Sequence, residues 1–344
     1  MHLFLADAGT EEFLLAELGR VAPATRHELA AEGWVRSALP LDPAAPPVLA
    51  FARQTLIDTA EHEASSIQAW SRLTGDAAAA ALPETGPWRL HIAPRYGEGR
   101  AGTRRAALIS EAVAEHLARK RRRLLRALES GNAPFAAETS LVQLVLSSPD
   151  RGWLSVAAAP LPRAFRRVIS PFLLGDVHVP RDPAPPSRAY AKLIEAEERL
   201  GQRIAAGETC VDLGAAPGSW THVALARGAR VIAVDRSELR DDLMASPRLE
   251  FRRGDAFRFE PEGPVDWLLC DVIAQPERSI ALVLDWVRRR LARRFVVTIK
   301  FTGHDRYAEL DALAQLLPGE CEELFLTRLQ ANKNEVTVFG VVRA

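Results

Sequence analysis

Lysine is nearly missing from this sequence. Lys120, Lys192, Lys300 and Lys333 stand against forty arginines in 344 residues. Where arginine supplies almost all positive charge, each remaining ammonium asks for a local reason. Cysteine is scarce too. Cys210, Cys270 and Cys321 lie far apart with no C-x-x-C pair. That argues against a disulfide framework or a thiolate metal site and makes buried thiols in a reducing cytoplasm the expectation. No eighteen-residue apolar run occurs, so no membrane span is expected. The start, MHLFLADAGTEEF, lacks a basic segment and carries Asp7, Glu11 and Glu12, so it does not read as a secretory signal. Net charge is absent as well. The 44 basic and 44 acidic residues cancel, which argues against a uniformly basic nucleic-acid binder.

What is present is an ordinary globular mixture, 48% hydrophobic and 26% charged, long enough for two or three domains with real cores. Its charge is unevenly spread. Residues 1–63 hold ten acids and four arginines, and residues 95–126 hold ten basic residues and three acids. Such asymmetry can prepare one face for a polyanion, and RKRRRLLR also reads as the solvated side of a helix. MHLFLA followed by EEFLLAELGRV reads as strand then helix. WVRSALP and PPVLAFARQTL offer further short strands. EASSIQAWSRLTGDAAAAALPETG has weak periodicity and reads as a bridge. WRLHIAP, an arginine-rich helix over about 106–128, SLVQLVLSS and GWLSVAAA form a second small α+β module with a hairpin at PDRG. Four prolines within residues 180–186 mark a stiff linker. Beyond it, apolar runs of four to six residues alternate with helical patterns, which predicts a parallel sheet covered on both faces. EVTVFGVVRA closes the chain as an antiparallel strand near the sheet edge.

The strand CVDL runs into Gly214-Ala215-Ala216-Pro217-Gly218-Ser219-Trp220. Ligands bind at the carboxyl ends of strands in open α/β sheets, and small residues there let a ligand reach the backbone. Ala216 and Ser219 break the dinucleotide pattern G-x-G-x-x-G, and no G-x-x-x-x-G-K-[ST] occurs. The turn suits a compact ligand without a pyrophosphate. Asp235 ends the next strand, twenty-one residues after Gly214, where a carboxylate can accept from ribose hydroxyls. Asp255 follows the third strand, placed for an adenine amino group, and Asp271 ends the fourth. One such aspartate could simply cap a helix; three after successive strands favour a ligand.

DLGAAPGSW resembles the S-adenosylmethionine loop of the FtsJ-like ribose 2′-O-methyltransferases over about residues 184–344. Those enzymes carry a Lys-Asp-Lys-Glu tetrad. Matching positions stand in order at Lys192 in SRAYAKL, Asp271 in LLCDV, Lys300 in TIKF and Glu335 in NKNEVTV. LAFARQ, SPFLLG, PSRAYAKLIEA, DAFRFEP and EVTV are further similar to the bacterial branch that methylates a cytidine of 23S ribosomal RNA. The resemblance implies a ferredoxin-like α+β segment over 1–80, a THUMP-like RNA-binding module over 84–162, a linker over 163–186 and a Rossmann-like methyltransferase domain with a mixed sheet over 187–344. It implies S-adenosyl-L-methionine held by Ser187, Ala216, Pro217, Gly218, Ser219, Trp220, Asp235, Asp255 and Asp271, with no metal and with large-subunit ribosomal RNA as partner. Ser219 departs from the Gly-Gly that often precedes the tryptophan and is small enough to leave the cofactor room.

The chemistry explains the choice of lysine. A guanidinium does not give up its proton in a protein. An amine can, when burial and a neighbouring cation draw it down from about 10.4. Lys300 is therefore expected to be the general base, with Lys192 stabilising the developing alkoxide, Asp271 orienting Lys300, and Glu335 holding Lys192 or the ribose. Lys120 and Lys333 read as surface residues. Arg100–Arg105, Arg119–Arg126 and PRAFRR at 162–167 are candidate RNA contacts, whereas RRRLARR at 288–294 reads as surface decoration. The alternatives are the same chemistry on transfer RNA or an mRNA cap, and a non-catalytic RNA-binding protein that keeps a cofactor pocket.

Overall fold

The computed structural model describes residues 1–96, 100–131 and 136–344, with backbone only at 100–101. Two units emerge, residues 1–46 with 51–176 and residues 47–50 with 177–344.

The first unit holds two sheets. β1 (His2–Leu5), β2 (His27–Ala31), β3 (Trp34–Ser37) and β4 (Gln54–Leu56) form an antiparallel sheet in the order β2-β3-β1-β4, with α1 (Glu11–Val21) following β1. Glu11 and Glu12 begin α1, where carboxylates favour the helix dipole. β5 (Ala60–Glu63), β6 (Trp88–Pro94), β7 (Ser140–Leu146) and β8 (Arg151–Ala157) form the other sheet, ordered β5-β8-β7-β6. β6 and β7 run parallel, joined through α3 (Arg100–Lys120) and α4 (Arg122–Arg126). Ala106, Ile109, Val113 and Leu117 recur at helical spacing and turn one face of α3 into the core with Trp70, Trp88, Val142 and Leu144.

α2 (Ile67–Ala81) occupies the stretch expected to bridge. Ser66 caps it, accepting from the Ala69 amide at 3.1 Å. β5 and nearly all of α2 fall within residues 1–80, yet both go with the second sheet: β5 pairs with β8, and Trp70 enters the core under α3. The arginine-rich helix begins earlier than its periodicity suggests and breaks at Arg121.

The motifs FARQ and SPFLLG brace one another. The Gln54 side-chain amide donates to the Ser170 carbonyl at 2.9 Å and accepts from the Ser170 amide at 2.9 Å. Arg53 bonds Asp7 at 2.6 Å and also pairs with Asp176. Gly175 has φ +72°, and a Cβ there would stand 2.4 Å from the Arg53 carbonyl oxygen. Residues 163–176, expected to be linker, are thereby tied into the first unit.

The second unit contains α5 (Tyr190–Leu200), β9 (Thr209–Leu213), α6 (Ser219–Ala226), β10 (Arg230–Asp235), α7 (Asp241–Met244), β11 (Leu249–Arg253), β12 (Val265–Cys270), α8 (Pro276–Arg288), β13 (Ala292–Lys300), α9 (Asp311–Leu316), β14 (Cys321–Thr327) and β15 (Glu335–Val342). They build a Rossmann-like mixed sheet, β11-β10-β9-β12-β13-β15-β14. The first five strands are parallel and β15 and β14 are antiparallel additions. The central strands are buried on both faces, so their sequences are largely apolar. β15 is not the edge: β14 lies outside it. All three cysteines are buried as thiols. Among the described residues no helix is long and apolar enough to cross a membrane.

From β9 the chain winds out through β10 and β11, then returns to β12 on the other side of β9. This reversal opens a crevice at the carboxyl ends of β9 and β12, the place where such sheets bind ligands.

Candidate active site

At that crevice lies a cavity of about 330 Å³, walled by Ser187, Gly214, Pro217, Asp235, Asp271 and Lys300 among others. A second, of about 230 Å³, shares Gly214, Asp235, Val272 and Ile273 with it and extends to Asp255, Phe257 and Arg278. Small residues make the close approach possible. Gly214 has φ +74°, and a Cβ there would meet the Val272 side chain at 2.7 Å.

The predicted tetrad converges. β12 ends just before Asp271, β13 ends at Lys300, and β15 begins at Glu335. Lys300 and Glu335 are opposite one another in the β13–β15 ladder. Lys192 comes from the first turn of α5. Its Nζ lies 3.0 Å from Asp271 Oδ1, 3.2 Å from Asp271 Oδ2 and 2.5 Å from Glu335 Oε2. Lys300 Nζ donates to the Asp271 backbone carbonyl at 2.6 Å and lies 3.1 Å from Asp271 Oδ1. Glu335 Oε1 is farther from it, at 4.0 Å. One carboxylate therefore bridges both ammonium groups, and the other sits on Lys192. The Lys192 side chain is 7% exposed and that of Lys300 18%, so two cations and two anions share a largely dry pocket where their interaction is strong.

Of the residues expected to hold a cofactor, Ser187, Ala216, Pro217, Ser219, Trp220, Asp235 and Asp271 line the larger cavity. Ser187 and Ser219 are joined, Oγ to Oγ, at 2.7 Å, so the serine that replaces glycine latches the segment before α5 onto the loop. The Trp220 indole N–H donates to the Ala189 carbonyl at 2.8 Å. Asp235 already accepts from the Ala216 amide at 3.0 Å and the Ser237 amide at 2.9 Å, which fixes its carboxylate at the cavity wall. Gly218 is not on the wall. It shapes the turn instead, with φ +105° and no room for a Cβ beside Leu243. Asp255 lies on the smaller cavity, and the Phe257 amide from which it accepts, with help from Arg236, holds its carboxyl below the usual range.

Asp212 was not among the expected site residues, yet it faces the larger cavity. Burial pushes its carboxyl up to about 7 against the opposing hydrogen bond from Thr221, made at 2.6 Å, with Asp271 adding to the rise. Its position at the end of CVDL is visible in sequence; its burial is not. Val272 and Ile273 also escaped notice, because nothing in a loop sequence says which apolar side chains reach a ligand.

The donors and acceptors fit an adenosyl amino acid. Asp235 offers lone pairs for a diol and Asp255 for an exocyclic amine. Asp212, on the same wall, offers a carboxyl oxygen to an ammonium group.

In the first unit, Arg119, Lys120, Arg121, Arg122, Arg123 and Arg126 are exposed along the end of α3, the break after it and α4. Two of them have acidic neighbours, Arg119 with Glu115 at 3.4 Å and Arg123 with Glu84 at 3.8 Å. The Arg100 side chain lies outside the described residues. Arg167 is engaged internally, donating to the Pro46 carbonyl at 2.6 Å. Arg289 pairs with Glu260 and Asp285, and Arg294 with Glu208, so the 288–294 arginines include surface ion pairs.

Residues 185–317 match the FtsJ-like methyltransferase family. The ribosomal RNA large subunit methyltransferase M of Stutzerimonas stutzeri (strain A1501) is 43% identical over 136 residues, 38% of this chain and 39% of that protein. The protein of the same name from Laribacter hongkongensis (strain HLHK9) is 37% identical over 182 residues, 49% of this chain and 52% of that one. The matched stretches thus span about half or less of these relatives' lengths. Among solved structures, TrmN from Thermus thermophilus aligns over 99% of both chains at 17% identity, with a TM-score of 0.33, too low to bear on function. The match to the FtsJ-like family falls within the second unit.

Proposed function

We propose that this protein transfers a methyl group from S-adenosyl-L-methionine to the ribose 2′-hydroxyl of a cytidine in 23S ribosomal RNA, with Lys300 as general base. The observation that supports it most is the convergence of Lys192, Asp271, Lys300 and Glu335 beside one cavity. The names of the relatives point to the large-subunit RNA.

The cofactor, when bound, supplies a methyl group already activated on a sulfonium, so the protein's task is to place and deprotonate an oxygen. As a neutral amine, Lys300 keeps two N–H groups. The Asp271 carbonyl and Oδ1 are the acceptors for them, which leaves the lone pair for the ribose hydroxyl. Lys192, held between two carboxylates, remains a cation and stabilises the oxygen as its charge develops. Asp271 sets the spacing of the two nitrogens. A positioned base is worth roughly 10²–10⁴ in rate.

The first unit would hold the RNA. We assign the sheet of β1 to β4 to a ferredoxin-like segment and the sheet of β5 to β8, with α2, α3 and α4, to a THUMP-like module, with the exposed arginines of α3 and α4 on the phosphate backbone. The target nucleotide must leave its stack for its ribose to enter the pocket. The protein is expected to work in the cytoplasm, where this RNA is made.

The test is methyl transfer in vitro from labelled S-adenosylmethionine to unmodified 23S ribosomal RNA and to transfer RNA, followed by nucleoside analysis. Label in 2′-O-methylcytidine from the ribosomal RNA is expected. Label in a base, or in transfer RNA alone, would overturn the assignment.

A further inference from the structure

Glu335 and Lys300 are direct cross-strand partners, close enough for an ion pair without help. The carboxylate nevertheless sits 2.5 Å from Lys192 and 4.0 Å from Lys300. Something selects one lysine over the other. The Asn332 side chain supplies a second contact on the selected side. Its Nδ2 donates to Glu335 Oε2 at 3.1 Å, the same oxygen that Lys192 holds.

Asn332 is itself well anchored. Its Oδ1 accepts from the Leu329 amide at 2.7 Å and from Thr337 Oγ1 at 3.2 Å, and its backbone N–H closes a turn onto the Leu329 carbonyl at 3.0 Å. Thr337 is fully buried on β15. The turn is pinned in its own right from α5, where buried Glu195 accepts from the Gln330 amide at 2.8 Å and is paired with Arg199 at 2.7 Å. Lys192 and Glu195 lie three residues apart on that helix, so one element delivers the catalytic cation and the anchor of the turn.

We infer that Asn332 is a positioning residue that holds Glu335 on Lys192 and away from Lys300, so that the two lysines keep different roles. This rests on the reading of Lys300 as the base. The charges facing Glu335 are Lys192 from α5, Asp271 after β12 and Lys300 from β13. Without the Asn332 amide, Lys192 alone competes with Lys300 for the carboxylate, which can then swing across the ladder. An ion pair with Lys300 would then hold that amine charged and make proton removal harder.

The test compares Asn332→Ala and Thr337→Val with Asn334→Ala in the full chain. Asn334 belongs to the same loop but donates to the Phe301 and Gly303 carbonyls. The expectation for Asn332→Ala is a kcat lower by about 10- to 100-fold, the factor carried by one hydrogen bond to a charged group. The acid limb of its kcat–pH profile should move to higher pH, with cofactor affinity unchanged. Thr337→Val should shift the limb less, and Asn334→Ala not at all. A second readout needs no turnover. The chain has only four lysines, so their side-chain ammonium signals in ¹H–¹⁵N spectra are assignable, and Asn332→Ala should slow proton exchange at Lys300 and speed it at Lys192, with Lys120 and Lys333 unchanged. Unchanged pH profile and unchanged lysine signals would overturn the inference. Altered lysine signals in a protein that methylates no ribose would instead sink the general-base reading and leave the positioning role standing.

Discussion

At the scale of single residues, the chain separates charge that must stay from charge that must come and go. Arginine serves the first need and lysine the second, which is why two of the four lysines stand out in the sequence alone. Asp212 does not, because its character comes from its surroundings. Its carboxyl is raised to about 7 by burial, above its value of 3.8 in an unfolded chain. A carboxyl raised by folding adds stability below its unfolded value and loses it as pH climbs through the folded one. Glu197, also raised to about 7 by burial, acts with the same sign. Thermal unfolding followed from pH 4 to pH 8 should therefore show these two contributions draining away toward pH 8. Asp212→Asn should flatten that slope, since an asparagine keeps an acceptor for Thr221 and carries no proton to lose. A slope unchanged in the variant would mean that Asp212 is not a group whose titration folding shifts.

At the scale of elements, β15 matters most, because it carries Glu335 at one end and seals the sheet along its length. Gly340 pairs with Leu324 of β14 next to an irregularity at Cys321 and Glu323. A Cβ at 340 would stand 2.3 Å from the Glu323 carbonyl oxygen and 3.2 Å from the Phe295 ring. Gly340→Ala should thus cost about 1–3 kcal/mol, as overpacking against backbone does, read as a lower denaturant midpoint at constant m-value. No loss of stability would mean that β14 yields freely. The strands that hold the site were legible because burial on both faces writes a largely apolar run. β14 was not, since Glu322 and Glu323 follow its first residue and Glu323 is nonetheless buried. α2 was hidden for another reason: its buried face includes Ser71, Thr74, Gly75 and Ala78, residues too small or polar to mark a period. The brace of Gln54 on Ser170 spans 116 residues, and no local pattern reaches so far.

At the scale of the whole molecule, zero net charge conceals a cationic run on α3 and α4 and an anionic N-terminal stretch. If that run meets phosphate, replacing Arg119, Arg122 and Arg126 with alanine should weaken RNA binding for all sequences alike. The slope of log K against log salt should fall by roughly 0.7–0.9 for each phosphate that is no longer neutralised. Unchanged affinity and slope would put the RNA elsewhere. The proposed chemistry converges on one nitrogen, and a single substitution isolates it. Lys300→Arg keeps a cation at the end of β13 and cannot deliver a lone pair. Single-turnover methyl transfer to 23S ribosomal RNA, measured with cofactor affinity on the same preparation, should fall by roughly 10²–10⁴ while the affinity holds. Transfer by that variant at the rate of the parent chain would contradict general-base catalysis by Lys300.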